Sequence, residues 1–440
     1  MVSVPAPHEL IRFAKERYHA FTEIAETFVD AEFHFSAKDN LCANGFQARA
    51  GSAILEGYVP PFDATPVHRL KTAGGQLVGK TTMDEFGFGT FCVNSAHGIP
   101  LNPFDIQRSC GGSSGGAGAA ACLIPGHIAL GVSTGGSISG PVSFCGVVGL
   151  SPTYGRVSRY GLIDYGNSLD KVGLLSRSAT LVREHFQTIA GPDPKDPTSC
   201  AQPQLPTKGR MPDSLAVPKE ALANLDPAVS KGFQEAVGRI QEMGVKVEEI
   251  SMPSLRYAMP AYYILATSEA STNLARYCGM RFGRREEELN QHFNDFFSGV
   301  RSQSFGDEAK RRILLGTFCR MVGFRSRYYL KSLAVRQMLI EEYRKVFEDH
   351  QMVLTPTMPF LPPRFEDIRK MTPLEIYGAD FLTIPPNLTG MPHVSLPCAY
   401  QQGLPVGMQL VSDHWREMDL LEMSSEWEGH FPYRFPEVGP

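Results

Sequence analysis

The stretch GGSSGGAGAAACLIPGHIALGVSTGGSISGP, residues 111–141, constrains this chain more than any other. GGAGAAACL (115–123) reads as a helix of small residues, suited to close packing beneath neighbouring elements. HIALGVST (127–134) is a nearly unbroken apolar run, the pattern of a buried strand, and QLVGKTT (76–82) repeats it. Further on, Asp226 can cap a helix with Pro227 in its first turn. Val229, Phe233, Val237, Ile240 and Met243 then recur at helical spacing, Gly244 stops the helix, and VKVEEI alternates as a strand does. Residues 255–350 read as mostly helical, and MVLTPTMPF (352–360) and HVSLPCAY (393–400) return to strand character. Helix and strand in this alternation predict an α/β fold, a sheet covered by helices.

The length fits one large domain or two ordinary ones. We read residues 1–440 as one domain. A glycine-rich core spans 36–190, a Pro-rich, polar, linker-like segment spans 191–213, and a mostly helical part spans 214–440. At 42% hydrophobic and 20% charged residues the composition is that of a soluble globular protein, with no membrane-spanning run and no signal-peptide core. Nine cysteines without CxxC pairs predict reduced thiols in a cytoplasmic setting and no zinc or other metal site. A net charge of −4 gives no global pull toward nucleic acid. Arg320, Arg325, Arg327, Lys331 and Arg336 crowd one helical region, which reads first as a solvated face, with contact to a partner or to RNA as the alternative.

The two serine–glycine runs, SCGGSSGGAG (109–118) and STGGSISGP (133–141), could serve phosphate binding, packing or catalysis. Neither contains the GxxxxGK[ST] of a phosphate loop or the GxGxxG of a dinucleotide fold. Serine catalysis needs a nucleophile, a base and donors for the developing oxyanion. In TGGS (134–137) the glycines free successive N–H groups to converge, with Ser137 as nucleophile. His97 and His127 are the nearest histidines, but neither sits in a recognisable triad context. A buried, neutral lysine can replace histidine, and the residues alone leave open which lysine that is.

The order and spacing of KDN (38–40), GKTTMDEFGFG (79–89), GGSSGG (111–116), TGGSISGP (134–141) and GVVGLSPTYGRVSRYG (146–161) resemble the amidase signature family. The resemblance implies a large mixed β-sheet covered by helices on both faces. It also implies a Ser–cis-Ser–Lys triad: Lys38 as base, rather than Lys80, Ser113 as the cis-serine relay and Ser137 as acyl-ester nucleophile. Thr134, Gly135 and Gly136, with Ser137, would form the oxyanion hole, and Ser114 would be structural. The family's usual DTGGSIR is changed at both charged positions, to Ser133 and Ser139. Losing both partners of a buried pair can be nearly neutral, so the change reads as a lineage variant.

YYILATSEASTNLARYCGMRFG (262–283), AKRRILLGTF (309–318) and IYGADFLTIPPNLTGMPHVSLP (376–397) are similar to the A-subunit branch of that family, which serves tRNA-dependent amidotransferases. This likeness implies that Tyr262, Arg312 and Asp380 bind free glutamine, through its α-carboxylate and α-ammonium, and that the chain supplies ammonia from it. Expected partners are a B subunit, which would use ATP and Mg²⁺ and hold most of the misacylated tRNA, and a small C subunit. The present chain would itself need no cofactor. A free-standing amidase and a non-catalytic anion nest are the alternatives.

Overall fold

The structure, a computed structural model, describes residues 6–199, 201–284, 292–437 and 439. It contains thirteen strands: β1 (Phe21–Ile24), β2 (Phe33–Lys38), β3 (Gly75–Thr81), β4 (Leu101–Asn102), β5 (Asp105–Ser109), β6 (Ile128–Ser133), β7 (Val148–Ser151), β8 (Lys171–Ser176), β9 (Ser214–Pro218), β10 (Lys246–Ile250), β11 (Met352–Pro356), β12 (His393–Gln401) and β13 (Leu404–Ser412). Eleven form one sheet in the order β1-β3-β2-β6-β8-β7-β12-β13-β11-β9-β10, while β4 and β5 pair separately. The sheet is mixed: β3-β2-β6 and β11-β9-β10 run parallel and the central pairs antiparallel.

Alternation along the strands sends side chains to two covered faces. Leu215, Val217, Leu354, Met408 and Leu410 pack on one side with Val229, Phe233 and Ile240 of the Pro227–Glu242 helix and Trp427 of the Glu417–His430 helix. Val78, Ala129 and Leu175 point the other way, onto the Gly115–Leu123 and Ser139–Cys145 helices. Ala216, Val353 and Val411 do the same further along, beneath Tyr343 of the Tyr329–Asp349 helix. Helices on both faces therefore match the expected fold. The Pro227 helix is built as its sequence predicts: the Asp226 side chain accepts the Ala228 N–H at 2.7 Å, and Gly244 takes φ +86° just beyond the end. VKVEEI becomes β10 at the rim of the sheet, which accounts for its polar alternation.

The described residues of 191–213 carry no strand or α-helix, yet they are tied down. Asp193 accepts from Thr65 and Ser158 hydroxyls at 2.5 and 2.6 Å, Arg69 donates to the Gly191 and Pro192 carbonyls, and Arg156 donates to the Pro203 carbonyl at 2.7 Å. The eight described cysteines are free thiols; Cys200 lies outside the described residues. Among the described residues no helix is long and apolar enough to cross a membrane, and no cluster of three His, Cys, Asp or Glu side chains is placed to hold a metal.

Candidate functional site

Lys38 is the last residue of β2, held between two parallel neighbours, β3 and β6. Its Nζ donates to Ser113 Oγ at 2.6 Å and to the Val132 carbonyl of β6 at 3.0 Å. Burial pulls its ammonium down to about 7, against the opposing pull of Cys92, Asp84 and Asp170. At neutral pH the amine can therefore exchange a proton with its hydroxyl partner.

Ser113 follows a cis peptide from Gly112. A Cβ on Gly112 would collide with Asp84 Oδ2, so glycine is what lets this loop pass the carboxylate. Asp84 itself accepts the Cys92 and Asn94 N–H groups, each at 2.9 Å, and burial lifts its carboxyl to about 6 against those donors and the Lys38 charge. Ser114 donates its N–H to the Ser137 carbonyl at 3.2 Å and its hydroxyl to the Val132 carbonyl at 3.3 Å. It thus ties the two serine loops together.

Ser137 lies between the end of β6 and the Ser139–Cys145 helix. Exposure rises from 0% at Ser113 and 1% at Lys38 to 6% at Ser137, so solvent reaches Ser137 first. The Gly135 carbonyl accepts from Ser133 Oγ at 2.8 Å and from Asn387 Nδ2. Because C=O and N–H of a trans peptide point in opposite directions, this turns the Gly136 N–H away from Ser133 and Asn387. The N–H groups of Gly135, Gly136 and Ser137 have no acceptor among the described residues. The Thr134 N–H likewise has no acceptor among the described residues, while its hydroxyl donates to Asp170 Oδ1 at 2.6 Å, where burial has lifted the carboxyl to about 7, so the side chain anchors the loop.

Two of the three expected substrate residues close on this loop, Tyr262 from the Ala258–Asn273 helix and Asp380 from the turn between the Pro373–Gly378 and Ile384–Leu388 helices. A Cβ on Gly135 would lie 2.8 Å from the Tyr262 hydroxyl, and one on Gly136 would collide with Thr383 Oγ1 and lie 3.0 Å from Asp380 Oδ1. Only glycines allow that approach. Asp380 is buried and accepts the Thr90 and Tyr263 hydroxyls at 2.8 and 3.2 Å. Burial lifts its carboxyl to about 7, against those bonds and the Arg312 charge. Arg312 is buried on the inner side of the Asp307–Arg320 helix, whereas Arg311 beside it is exposed and contacts Glu308. The guanidinium donates Nε to Glu308 Oε1 at 2.8 Å and Nη1 to the Tyr165 hydroxyl at 2.6 Å. Phe88, Tyr165, Tyr263 and Tyr377 surround it, with ring centres 5.2–5.7 Å away. Arg312 and Asp380 do not pair directly; Tyr263 stands between them.

Four neighbours lie outside the motifs, Thr90, Tyr165, Asp170 and Glu308, and three more lie inside them without being singled out, Asp84, Tyr263 and Asn387. Those three leave a local signal, Asp84 inside MDEFGFG, Tyr263 next to Tyr262 and Asn387 inside IPPNLTG. His97 and His127 stand outside the site. His97 contacts Glu56 and the Ser52 carbonyl. His127 pairs with Ser36 Oγ at 2.8 Å, and burial drives its pKa down to about 3. Ser133 donates to the Gly135 carbonyl and accepts from Asn387, and the buried Ser139 hydroxyl finds no partner among the described residues.

The family model for amidases matches residues 34–421, which include every residue of the site just described. The chain is 41% identical over 432 residues to the A subunit of the glutamyl-tRNA(Gln) amidotransferase of Symbiobacterium thermophilum, covering 96% of this chain and 88% of that one. The crystal structure of the Thermotoga maritima protein of the same name superposes with a TM-score of 0.83 at 32% identity, covering 98% of this chain and 92% of that one. A 6-aminohexanoate cyclic dimer hydrolase, 22% identical and covered to 94% against 98% of this chain, shares the fold with a TM-score of 0.81. With both serine loops and Lys38 inside the matched span, the chain belongs to the amidase family.

Proposed function

We propose that the chain is the glutamine-hydrolysing subunit of a tRNA-dependent amidotransferase. The observation that carries this reading is the pair of buried, opposite charges, Arg312 and Asp380, held apart by Tyr263 beside the Ser137 loop. A free amino acid offers a carboxylate and an ammonium at fixed separation, and an arginine fork with an aspartate complements both. The likeness to A subunits of glutamyl-tRNA(Gln) amidotransferases supports the same substrate.

Glutamine then presents its side-chain carboxamide to Ser137. Ser137 Oγ attacks the carbonyl carbon, its proton passes to Ser113 Oγ, and the Ser113 proton passes to neutral Lys38; the 2.6 Å bond between these two supports the relay. The N–H groups of Thr134, Gly135, Gly136 and Ser137 stabilise the oxyanion. The protons return by the same path to the leaving nitrogen, ammonia departs, and water cleaves the glutamyl ester to release glutamate. A partner B subunit, assembled with a small C subunit, takes up the ammonia and amidates a Glu-tRNA(Gln) or Asp-tRNA(Asn) that it has activated with ATP and Mg²⁺.

The test is ammonia release from glutamine by the chain with its B and C subunits, with and without ATP and each misacylated tRNA. The proposal expects glutaminase activity that the complete mixture stimulates, together with amidated tRNA. Hydrolysis of simple amides but not of glutamine, unaffected by partners, contradicts it and points to a free-standing amidase.

A further inference from the structure

The Asp307–Arg320 helix has two unlike faces. Ala309, Arg312, Gly316 and Cys319 face inward, and a Cβ on Gly316 would collide with the Thr267 carbonyl, so the helix lies backbone to backbone on the helix that carries Tyr262. Leu314, Leu315 and Phe318 face outward, with Leu314 71% exposed. The chain then turns through Met321 and a fully exposed Val322 before Leu330 and Leu333 begin the next helix. Nine of the eighteen exposed large apolar side chains among the described residues lie between 314 and 338. Scatter over a monomer's surface does not produce that concentration. The turn is ordered by its own rings: Phe318 stacks near Phe324 at 4.4 Å and near Tyr328 at 5.9 Å.

The charge of this surface is as uneven as its polarity. From Ala309 to Ile340 the sequence has eight lysines and arginines and no acid, in a chain whose net charge is −4. Arg320, Arg325, Arg327 and Lys331 flank the apolar patch and form no ion pair among the described residues. An apolar and aromatic centre with a rim rich in arginine is the make-up of a protein interface. A rim of one sign selects a partner of the other sign.

We propose that the outer face of the Asp307–Arg320 helix, the 321–328 turn and the start of the Tyr329–Asp349 helix dock a partner subunit through an apolar ridge flanked by aspartates and glutamates. This rests on the reading of the chain as one subunit of an amidotransferase. A second copy of the chain is disfavoured because it would bring two acid-free basic rims together. RNA is disfavoured because Leu314, Val322 and Leu330 have nothing to pack against on a phosphate backbone, and Phe318 and Phe324 stack on each other. The helix that offers this face outward holds Arg312 inward, so docking steadies the glutamine clamp and lowers KM for glutamine.

The experiment compares hydrogen exchange of the free chain with that of its complex with the B and C subunits. It is joined to affinity measurements on Leu314→Glu/Val322→Glu and Arg325→Glu/Lys331→Glu. Protection of 314–333 in the complex is expected, with affinity falling at least tenfold in both variants. The charge variant should lose most of its salt dependence, while melting and basal glutaminase of the isolated chain stay as in wild type. Four results overturn the proposal: a complex in which 314–333 exchanges as in the free chain, variants of undiminished affinity, a homodimer broken by Val322→Glu, or tRNA bound by the isolated chain and lost on charge reversal. Failure of any complex to form sinks the amidotransferase reading along with it, whereas a complex assembled elsewhere sinks the docking surface alone.

Discussion

Lys38 and Lys80 stand on neighbouring parallel strands and are buried alike, yet they meet different partners. Ala37 pairs with Lys80 and Lys38 with Thr81, so the two lysines are one step out of register and leave opposite faces of the sheet. Lys80 Nζ donates to three carbonyls, those of Leu41, Gln47 and Asp39, at 2.5, 3.3 and 3.4 Å. Lys38 finds one carbonyl and the Ser113 hydroxyl. Burial lowers both pKa values. The difference lies in what the amine touches: a carbonyl only accepts a hydrogen bond and has no proton to pass on, whereas a hydroxyl both accepts and donates and can hand a proton along. One lysine therefore braces the loop after β2 and the other can relay protons.

The largest effect that bears on this contrast should come from Ser137→Ala. Its turnover of glutamine should fall at least about 10⁴-fold with no change in melting temperature. Lys38→Ala follows, with a loss of about 10³-fold, and Lys38→Arg should not rescue it, because a guanidinium stays charged. Lys80→Ala should act in the opposite currency. Three carbonyls lose the Lys80 donor, with only that of Asp39 keeping another among the described residues, the Ala50 N–H; stability drops by about 3 kcal/mol in a denaturant titration, and the folded fraction keeps turnover within about one order of magnitude. Equal kinetic damage from the two lysine variants breaks the comparison.

The substrate clamp sharpens it further. Arg312→Ala and Asp380→Asn should raise KM for glutamine about 10²-fold while changing kcat less, the reverse of the Lys38 pattern. The smallest effect belongs to Ser139→Ala, where a buried hydroxyl without a partner is removed. Stability should stay within about 0.5 kcal/mol of wild type or rise.

What is legible in the sequence follows the same division. Lys38, Ser113 and Ser137 lie in short runs whose spacing survives as a pattern, and the strands and the capped Pro227 helix announce themselves by periodicity. The pocket around them is assembled from distant pieces. Thr90 reaches Asp380 across 290 positions, Asn387 reaches Ser133 across 254, and Tyr165 reaches Arg312 across 147. No local rule marks a threonine or a tyrosine for such a role. The Arg320–Arg336 cluster reads as a solvated face in sequence because a helical pattern shows charge but not the exposed leucines, methionine and valine interleaved with it.

The central claim is that Lys38 works as a neutral amine on Ser137 through Ser113. The most direct measurement is the pH dependence of fluorophosphonate labelling of Ser137 in wild type, Lys38→Ala and Lys80→Ala. Lys38 accepts a proton only when deprotonated, so the wild-type rate should rise with pH through about 7 and level off above it. Lys38→Ala should label slowly and lose that inflection, and Lys80→Ala should keep it. Labelling of Lys38→Ala at the wild-type rate with the same inflection contradicts the account.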